Sequence, residues 1–100
     1  MKKELQENLF KNYPGIFVRR HLPKTESAMC YGIQCPDYWY DLLDSLCALI
    51  YNRSTAMEFI CEATQVKTKF GGLRFYVTYS DDYIKGAIQM AEQLSRNITE

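Results

Sequence analysis

Apolar residues recur at helical spacing in three stretches of the chain, so the sequence predicts three helices. The first spans residues 2 to 12, the second runs from a cap at Asp37 to residues 52–54, and the third begins at residues 80–82. In the second stretch, which has the clearest pattern, the apolar positions are Trp39, Leu42, Leu43, Leu46, Leu49 and Ile50. Each helix therefore has one face that can join a core.

Residues 59 to 80 follow a two-residue period instead, which predicts a β-hairpin that turns at Gly71-Gly72. Glycine accepts positive φ without steric cost, and the two-residue turns of hairpins require it. This turn would pair Phe70 with Leu73 and place both on a core face. The opposite face would carry a row of polar side chains that we call the basic ladder: Gln65, Lys67, Lys69, Arg74 and Tyr76.

A further alternation, of Met29, Tyr31 and Ile33 with smaller residues, predicts a short third strand before Cys35-Pro36. Residues 16 to 24 are expected to form an ordered loop. The predicted fold class is α+β, a small antiparallel sheet packed against about three helices. A chain of 100 residues with this pattern is expected to form a single domain over residues 1–100.

Charge changes this picture only locally, because the 12 basic and 12 acidic side chains cancel. A zero sum excludes both the strong positive field of a general DNA binder and the negative field of a DNA mimic. Residues 67–79 nevertheless contain three basic groups and no acidic group, and residues 1–24 are also basic. Two basic segments thus flank an acidic middle.

The candidate chemistry is sparse. The four cysteines lack the close pairs typical of zinc sites and are expected to be reduced core thiols, so the sequence predicts no metal and no cofactor. His21 has no nucleophile near it in sequence, and we therefore expect a protein that is not an enzyme. The first residues lack the apolar run of a signal peptide, and no segment is apolar enough to span a membrane, which favours a cytoplasmic location.

The basic ladder permits three interpretations. It is a solvated or covered sheet face, a surface for an acidic protein patch, or a face on which cations meet phosphates while Tyr76 stacks on a base. Arg19 and Arg20 would extend the same basic surface. An exposed sheet edge would also allow a homodimer.

Two stretches resemble a family of small proteins encoded by bacteriophages and prophages. One is the helix start Cys35-Pro36-Asp37-Tyr38-Trp39, where the family has a Gly-Asp-Gly-Trp motif. The other is the hairpin over residues 65–76, which reads Gln-Val-Lys-Thr-Lys-Phe-Gly-Gly-Leu-Arg-Phe-Tyr. The resemblance implies a phage context and no particular reaction. Since the cysteine pair that follows the last helix in some relatives is absent here, no metal role is carried over.

Together these features favour a phage-encoded accessory protein that binds and inhibits a host or defence protein, as an anti-CRISPR or another anti-defence module does. Its predicted partner-binding residues are Gln65, Lys67, Lys69, Arg74, Tyr76, Arg19 and Arg20. The alternative is a nucleotide-binding or nucleic-acid-binding protein that uses the same basic sheet face.

Overall fold

Three helices and a three-stranded sheet make up the protein, as seen in a computed structural model that describes all residues, Met1–Glu100. The helices are α1 (Lys3–Asn12), α2 (Tyr40–Ala56) and α3 (Asp82–Ser95), and the strands are β1 (Ile33–Gln34), β2 (Ala63–Lys69) and β3 (Gly72–Val77). Short 3-10 helices occupy Val18–His21, Ala28–Tyr31 and Asp37–Trp39. The predicted α+β class is confirmed.

The sheet is mixed rather than wholly antiparallel. Its order is β1-β2-β3, with β2 and β3 antiparallel but β1 parallel to β2, so that Ile33 lies beside Val66. The predicted strand over residues 28–33 is therefore wrong for most of its length. The Ser27 hydroxyl accepts a hydrogen bond from the Met29 amide, which starts a 3-10 helix there, and Gly32 turns the chain into β1 with a φ of 75°.

The hairpin turns one residue earlier than the double glycine predicted. Phe70 and Gly71 form the turn, both with positive φ, and Gly72 is already the first residue of β3, paired with Lys69. A Cβ at Gly72 would lie 3.1 Å from the Arg96 guanidinium carbon, so a larger residue there would require the Arg96 side chain to move by a few tenths of an ångström. With the turn at Phe70 and Gly71, the cross-strand pairing shifts by two residues, which leaves residues 65–69 and 72–76 on their predicted faces. Phe70 leaves the core face, and a register irregularity between Ala63 and Gln65 interrupts the alternation, so that the buried Ala63 lies beside Val77.

The second helix differs from the prediction at both ends. Asp37 does not cap it, because this carboxylate accepts a hydrogen bond from the Lys2 amide at 2.7 Å, and residues 37–39 form a 3-10 turn instead. At its other end α2 continues to Ala56. The third helix begins as predicted, with the Asp81 carboxylate accepting from the Ile84 amide.

One hydrophobic core of 18 residues joins the inner sheet face to the helices. Val66, Leu73 and Phe75 contribute from the hairpin, and Leu43 and Ile84 from α2 and α3. The buried Trp39 also fixes the end of the chain, because its indole nitrogen donates to the Ile98 carbonyl at 2.9 Å. Because Val66, Leu73 and Phe75 lie in this core, one face of the hairpin points into the protein and the other points outward.

None of the helices combines the length and apolar composition that crossing a membrane requires.

Candidate partner-binding face

The outward face of the hairpin carries the basic ladder. Lys67 lies directly opposite Arg74, and Gln65 lies opposite Tyr76, whereas Lys69 faces Gly72. Partners in an antiparallel pair point to the same side of the sheet, so these side chains form one row. The predicted grouping of the five ladder residues on one face is confirmed, although a pairing of Phe70 with Leu73 would have placed Lys69, and not Lys67, opposite Arg74.

The ladder is open to solvent. Lys69 and Tyr76 are exposed, and Gln65, Lys67 and Arg74 are partly buried. Tyr76 keeps 42 % of its surface accessible. Since no ladder side chain is buried, this face is available to another molecule.

The three ladder cations have no acidic partner in the fold. The ion pairs of the protein are Lys3–Glu7, Arg19–Glu62 and Arg53–Asp81, and none involves the ladder. Arg74 donates only to the carbonyl of its neighbour Leu73, at 3.0 Å. The ladder is therefore a concentration of uncompensated positive charge.

The far edge of the hairpin is fixed by α3. The Leu73 amide donates to the Ser95 hydroxyl at 2.9 Å, and the Phe75 amide donates to the Glu92 carboxylate at 3.0 Å. At the opposite edge of the sheet, the Gln6 side chain accepts from the Ile33 amide at 2.8 Å. Side chains of the same protein thus occupy donors at both sheet edges, which weakens the expectation of a homodimer formed by edge pairing.

Arg19 and Arg20 do not extend the ladder. The Arg19 guanidinium pairs with Glu62 at 3.0 Å, and that of Arg20 lies 4.7 Å from the centre of the Phe10 ring. Lys67, the ladder cation nearest to Glu62, lies five residues further along the chain, so the rise of a strand, about 3.3 Å per residue, separates them by roughly 16 Å. The basic residues predicted to act together therefore form two separate groups.

The cysteines are free thiols, and three of the four are buried. Burial raises the pKa of Cys35 to about 12 and that of Cys61 to about 11, and it also raises the pKa of Cys47. These three thiols stay protonated at neutral pH and are poor nucleophiles. Cys30 is the exception to the expected burial, because it is exposed. No three His, Cys, Asp or Glu side chains lie close enough together to hold a metal ion.

A shallow cleft of about 470 Å³ lies beside the ladder, between β3 and α3. Tyr76 forms part of its wall, and its charged lining residues are Lys85 and Glu92. The carboxylate of Glu92 is already engaged with the Phe75 amide. With one cation and one anion in its lining, the cleft does not favour a phosphate group.

Two residues of this region were missed by the sequence reasoning. Phe70 was assigned to the core but lies in the turn, with 83 % of its surface exposed. Arg96, which directly follows α3, donates to the Phe70 carbonyl at 3.3 Å. The sequence contains no local signal for a turn at Phe70-Gly71, because an aromatic residue is unusual in the left-handed conformation that this turn requires.

The chain matches no protein-family model, no curated protein and no solved structure. The geometry of the ladder and the turn therefore carries the functional argument.

Proposed function

We propose that this is a phage-encoded accessory protein that binds and inhibits a host or defence protein in the bacterial cytoplasm, as an anti-CRISPR or another anti-defence module does. The phage context is supported by the family resemblance of the helix start and the hairpin. Inhibition by binding is supported by the open basic ladder, whose solvent-accessible cations can contact an acidic surface. The ladder contains no nucleophile with a base beside it, so its side chains favour binding over catalysis.

The observation that carries the proposal is the direct cross-strand pairing of Lys67 with Arg74. Like charges directly opposite each other destabilise a sheet, and here no carboxylate compensates them. A local arrangement that costs stability without a gain inside the fold is typical of functional sites. An acidic surface on a partner would supply the missing counter-charge.

A partner protein with a carboxylate-rich surface fits this face. Charge complementarity would speed association and suppress binding to basic surfaces. Tyr76 and Gln65 lie side by side on the same face and add apolar contact area and amide hydrogen bonds. Aromatic side chains are enriched at the centres of protein interfaces, where they contribute most of the binding energy.

The exposed ring of Tyr76 beside the cations also favours a second candidate, a nucleotide-binding or nucleic-acid-binding protein. In that case the cations would neutralise phosphates while Tyr76 stacked on a base. Binding to a labelled single-stranded oligonucleotide would then weaken steeply with salt, because each phosphate contact releases a counterion. Fluorescence anisotropy distinguishes the two candidates, since the protein-binding proposal expects no oligonucleotide binding at physiological salt.

The deciding experiment reverses the ladder charge. The tagged wild-type chain is used to isolate its partner from bacterial cells, and the purified partner is then titrated with wild-type and Lys67→Glu/Lys69→Glu protein by calorimetry. We expect the affinity to fall about 100-fold or more, because facing like charges cost several kcal/mol. The Tm should not fall, since Glu at position 67 would face Arg74.

The matched control is Lys11→Glu/Lys24→Glu, which changes the net charge equally at exposed lysines that lie neither in the ladder nor in the cleft beside it. It should bind like the wild type. Wild-type affinity in the ladder variant, or an equal loss in the control, would remove the proposal.

A further inference from the structure

The turn of the hairpin holds an aromatic residue in a conformation that such residues avoid. Phe70 has a φ of 53° and Gly71 a φ of 77°, so both central positions of this two-residue turn are left-handed. Turns of this kind favour Asn-Gly or Gly-Gly, because a bulky side chain is strained there. Phe70 is therefore a poor choice for making the turn itself.

The ring of Phe70 is also the most exposed large apolar side chain in the protein, at 83 % accessible surface. Its neighbour Lys69 places an ammonium group 5.6 Å from the ring centre, a contact at the surface rather than burial. The fold thus bears both backbone strain and exposed apolar area at one residue. Backbone outliers of this kind cluster at binding and active sites.

The tip is contacted by Arg96, the residue that directly follows α3. Arg96 donates from Nη1 to the Phe70 carbonyl at 3.3 Å, and its guanidinium lies over Gly72, where no Cβ intervenes. The Lys69–Gly72 pair closes the hairpin immediately below. Phe70 is therefore presented on a braced support, which lowers the entropy lost when the tip is bound.

We infer that Phe70 is the anchor residue of the partner interface, inserting its ring into an apolar pocket of the partner protein whose rim carries carboxylates. The rim would meet the cations nearest the tip, Lys69 and Arg96. This inference rests on the proposed function and names the chemistry of the partner surface. Aromatic residues that fill a pocket, surrounded by charges at the rim, are typical hot spots.

A protein pocket suits this tip better than a nucleic acid. Proteins that bind single strands place successive aromatic rings along a groove, one for each base. Here a single ring stands at a convex tip, and Tyr76 is four residues beyond Gly72 along β3. One protruding ring matches one concave pocket.

The test substitutes Phe70→Asn and uses the purified partner obtained with the wild-type chain. Asn accepts the left-handed conformation, so the Tm should rise by about 4–8 °C while the ring is removed. The affinity measured by calorimetry should fall about 30-fold or more, as for the loss of a hot-spot aromatic. Because the variant is more stable than the wild type, unfolding cannot explain the lost binding.

The matched control is Tyr51→Ala, which removes an exposed aromatic ring from α2 and should leave the affinity within about twofold. A second readout replaces Phe70 by photoreactive p-benzoylphenylalanine. Crosslinked partner peptides, identified by mass spectrometry, should contain apolar residues flanked by Asp or Glu. Crosslinks confined to basic or wholly polar peptides would overturn the assigned pocket.

The two proposals fail in different ways. Full affinity in Phe70→Asn, together with lost affinity in Lys67→Glu/Lys69→Glu, would overturn the anchor and leave the basic ladder as the binding surface. Full affinity in both variants would overturn both proposals. Binding of a labelled oligo(dT) that is lost in Phe70→Asn would also overturn the anchor, because the ring would then stack on a base.

Discussion

The 3-10 helix Val18–His21 and the basic ladder contain similar side chains in different surroundings. In the first, Arg19 has an ion-pair partner and Arg20 lies over an aromatic ring, so both guanidinium groups are engaged inside the fold. In the ladder, Lys67 faces another cation and no carboxylate. Basic residues in a sequence are therefore free to contact another molecule only where the fold leaves them without counter-charges.

The substitution with the largest expected effect on stability tests whether the segment around Arg19 is part of the hydrophobic core. Phe17 is fully buried and its ring lies 5.2 Å from that of Phe10, edge to face. Phe17→Ala should lower the free energy of unfolding by about 3–5 kcal/mol, because it leaves a cavity in the core. Urea denaturation measures this, with Val18→Ala at an exposed neighbouring position as the control. A cost below about 1 kcal/mol would show that this segment is not part of the core.

The substitution with the next largest expected effect tests whether the hydrogen bond between α3 and β3 stabilises the hairpin that carries the ladder. Ser95 is buried, and its hydroxyl accepts from the Leu73 amide at 2.9 Å. Ser95→Ala should cost about 1–3 kcal/mol, since it leaves a buried amide without a partner. Thermal denaturation should show no such loss for Ser45→Ala, at an exposed position of α2. Equal Tm values for the two variants would mean that α3 does not support the hairpin through this bond.

Charge reversal should lower the free energy of unfolding at Arg19, which has an ion-pair partner, and raise it at Lys67, which faces another cation. Arg19→Glu would place two carboxylates together and cost about 1–2 kcal/mol, from the lost ion pair and the new repulsion. Lys67→Glu would create a cross-strand pair with Arg74 and add about 0.2–1 kcal/mol. Chemical denaturation of both variants at low salt measures the difference. A loss of stability in Lys67→Glu would show that the ladder cation has a structural role.

The sequence was most informative where side-chain period alone decides the outcome. The outward face of the hairpin was predicted correctly, because a shift of two residues in pairing leaves each side chain on its face. The turn was predicted one residue too late, because Gly-Gly fits the local rule for hairpin turns, whereas Gly72 lies in the strand against Arg96, a contact between distant parts of the chain. No local pattern indicates such a contact, and Phe70 was misplaced for that reason.

The third strand and the role of Arg19 depend equally on distant partners. Residues 28–31 alternate as a strand does, but the Ser27 hydroxyl and the conformation of Gly32 select a 3-10 helix. In the sequence Arg19 has no acidic neighbour, but in the fold its guanidinium donates to Glu62, which is 43 residues away along the chain. Charge patterns therefore predict a surface only after its neighbours are known.

The smallest expected effect is the pH dependence of the stability that Asp81, the ion-pair partner of Arg53, contributes. The hydrogen bond from the Ile84 amide, followed by that from Arg53, lowers the pKa of Asp81 below its ordinary value of 3.8. The unfolded chain therefore takes up this proton first on acidification. The stability that the carboxylate contributes is full above the ordinary pKa and is lost as the pH falls through the lowered one.

Asp81→Asn keeps a capping side chain but removes the charge. Its stability should fall short of the wild type near pH 6, and the shortfall should shrink as the pH falls below 3.8. Urea denaturation across this range measures the trend. In an Arg53→Ala background the pH-dependent part of the shortfall should be smaller, because one cause of the lowered pKa is absent. A shortfall that grew on acidification would contradict the sign of the pKa shift and with it the assignment of Arg53–Asp81 as a stabilising pair.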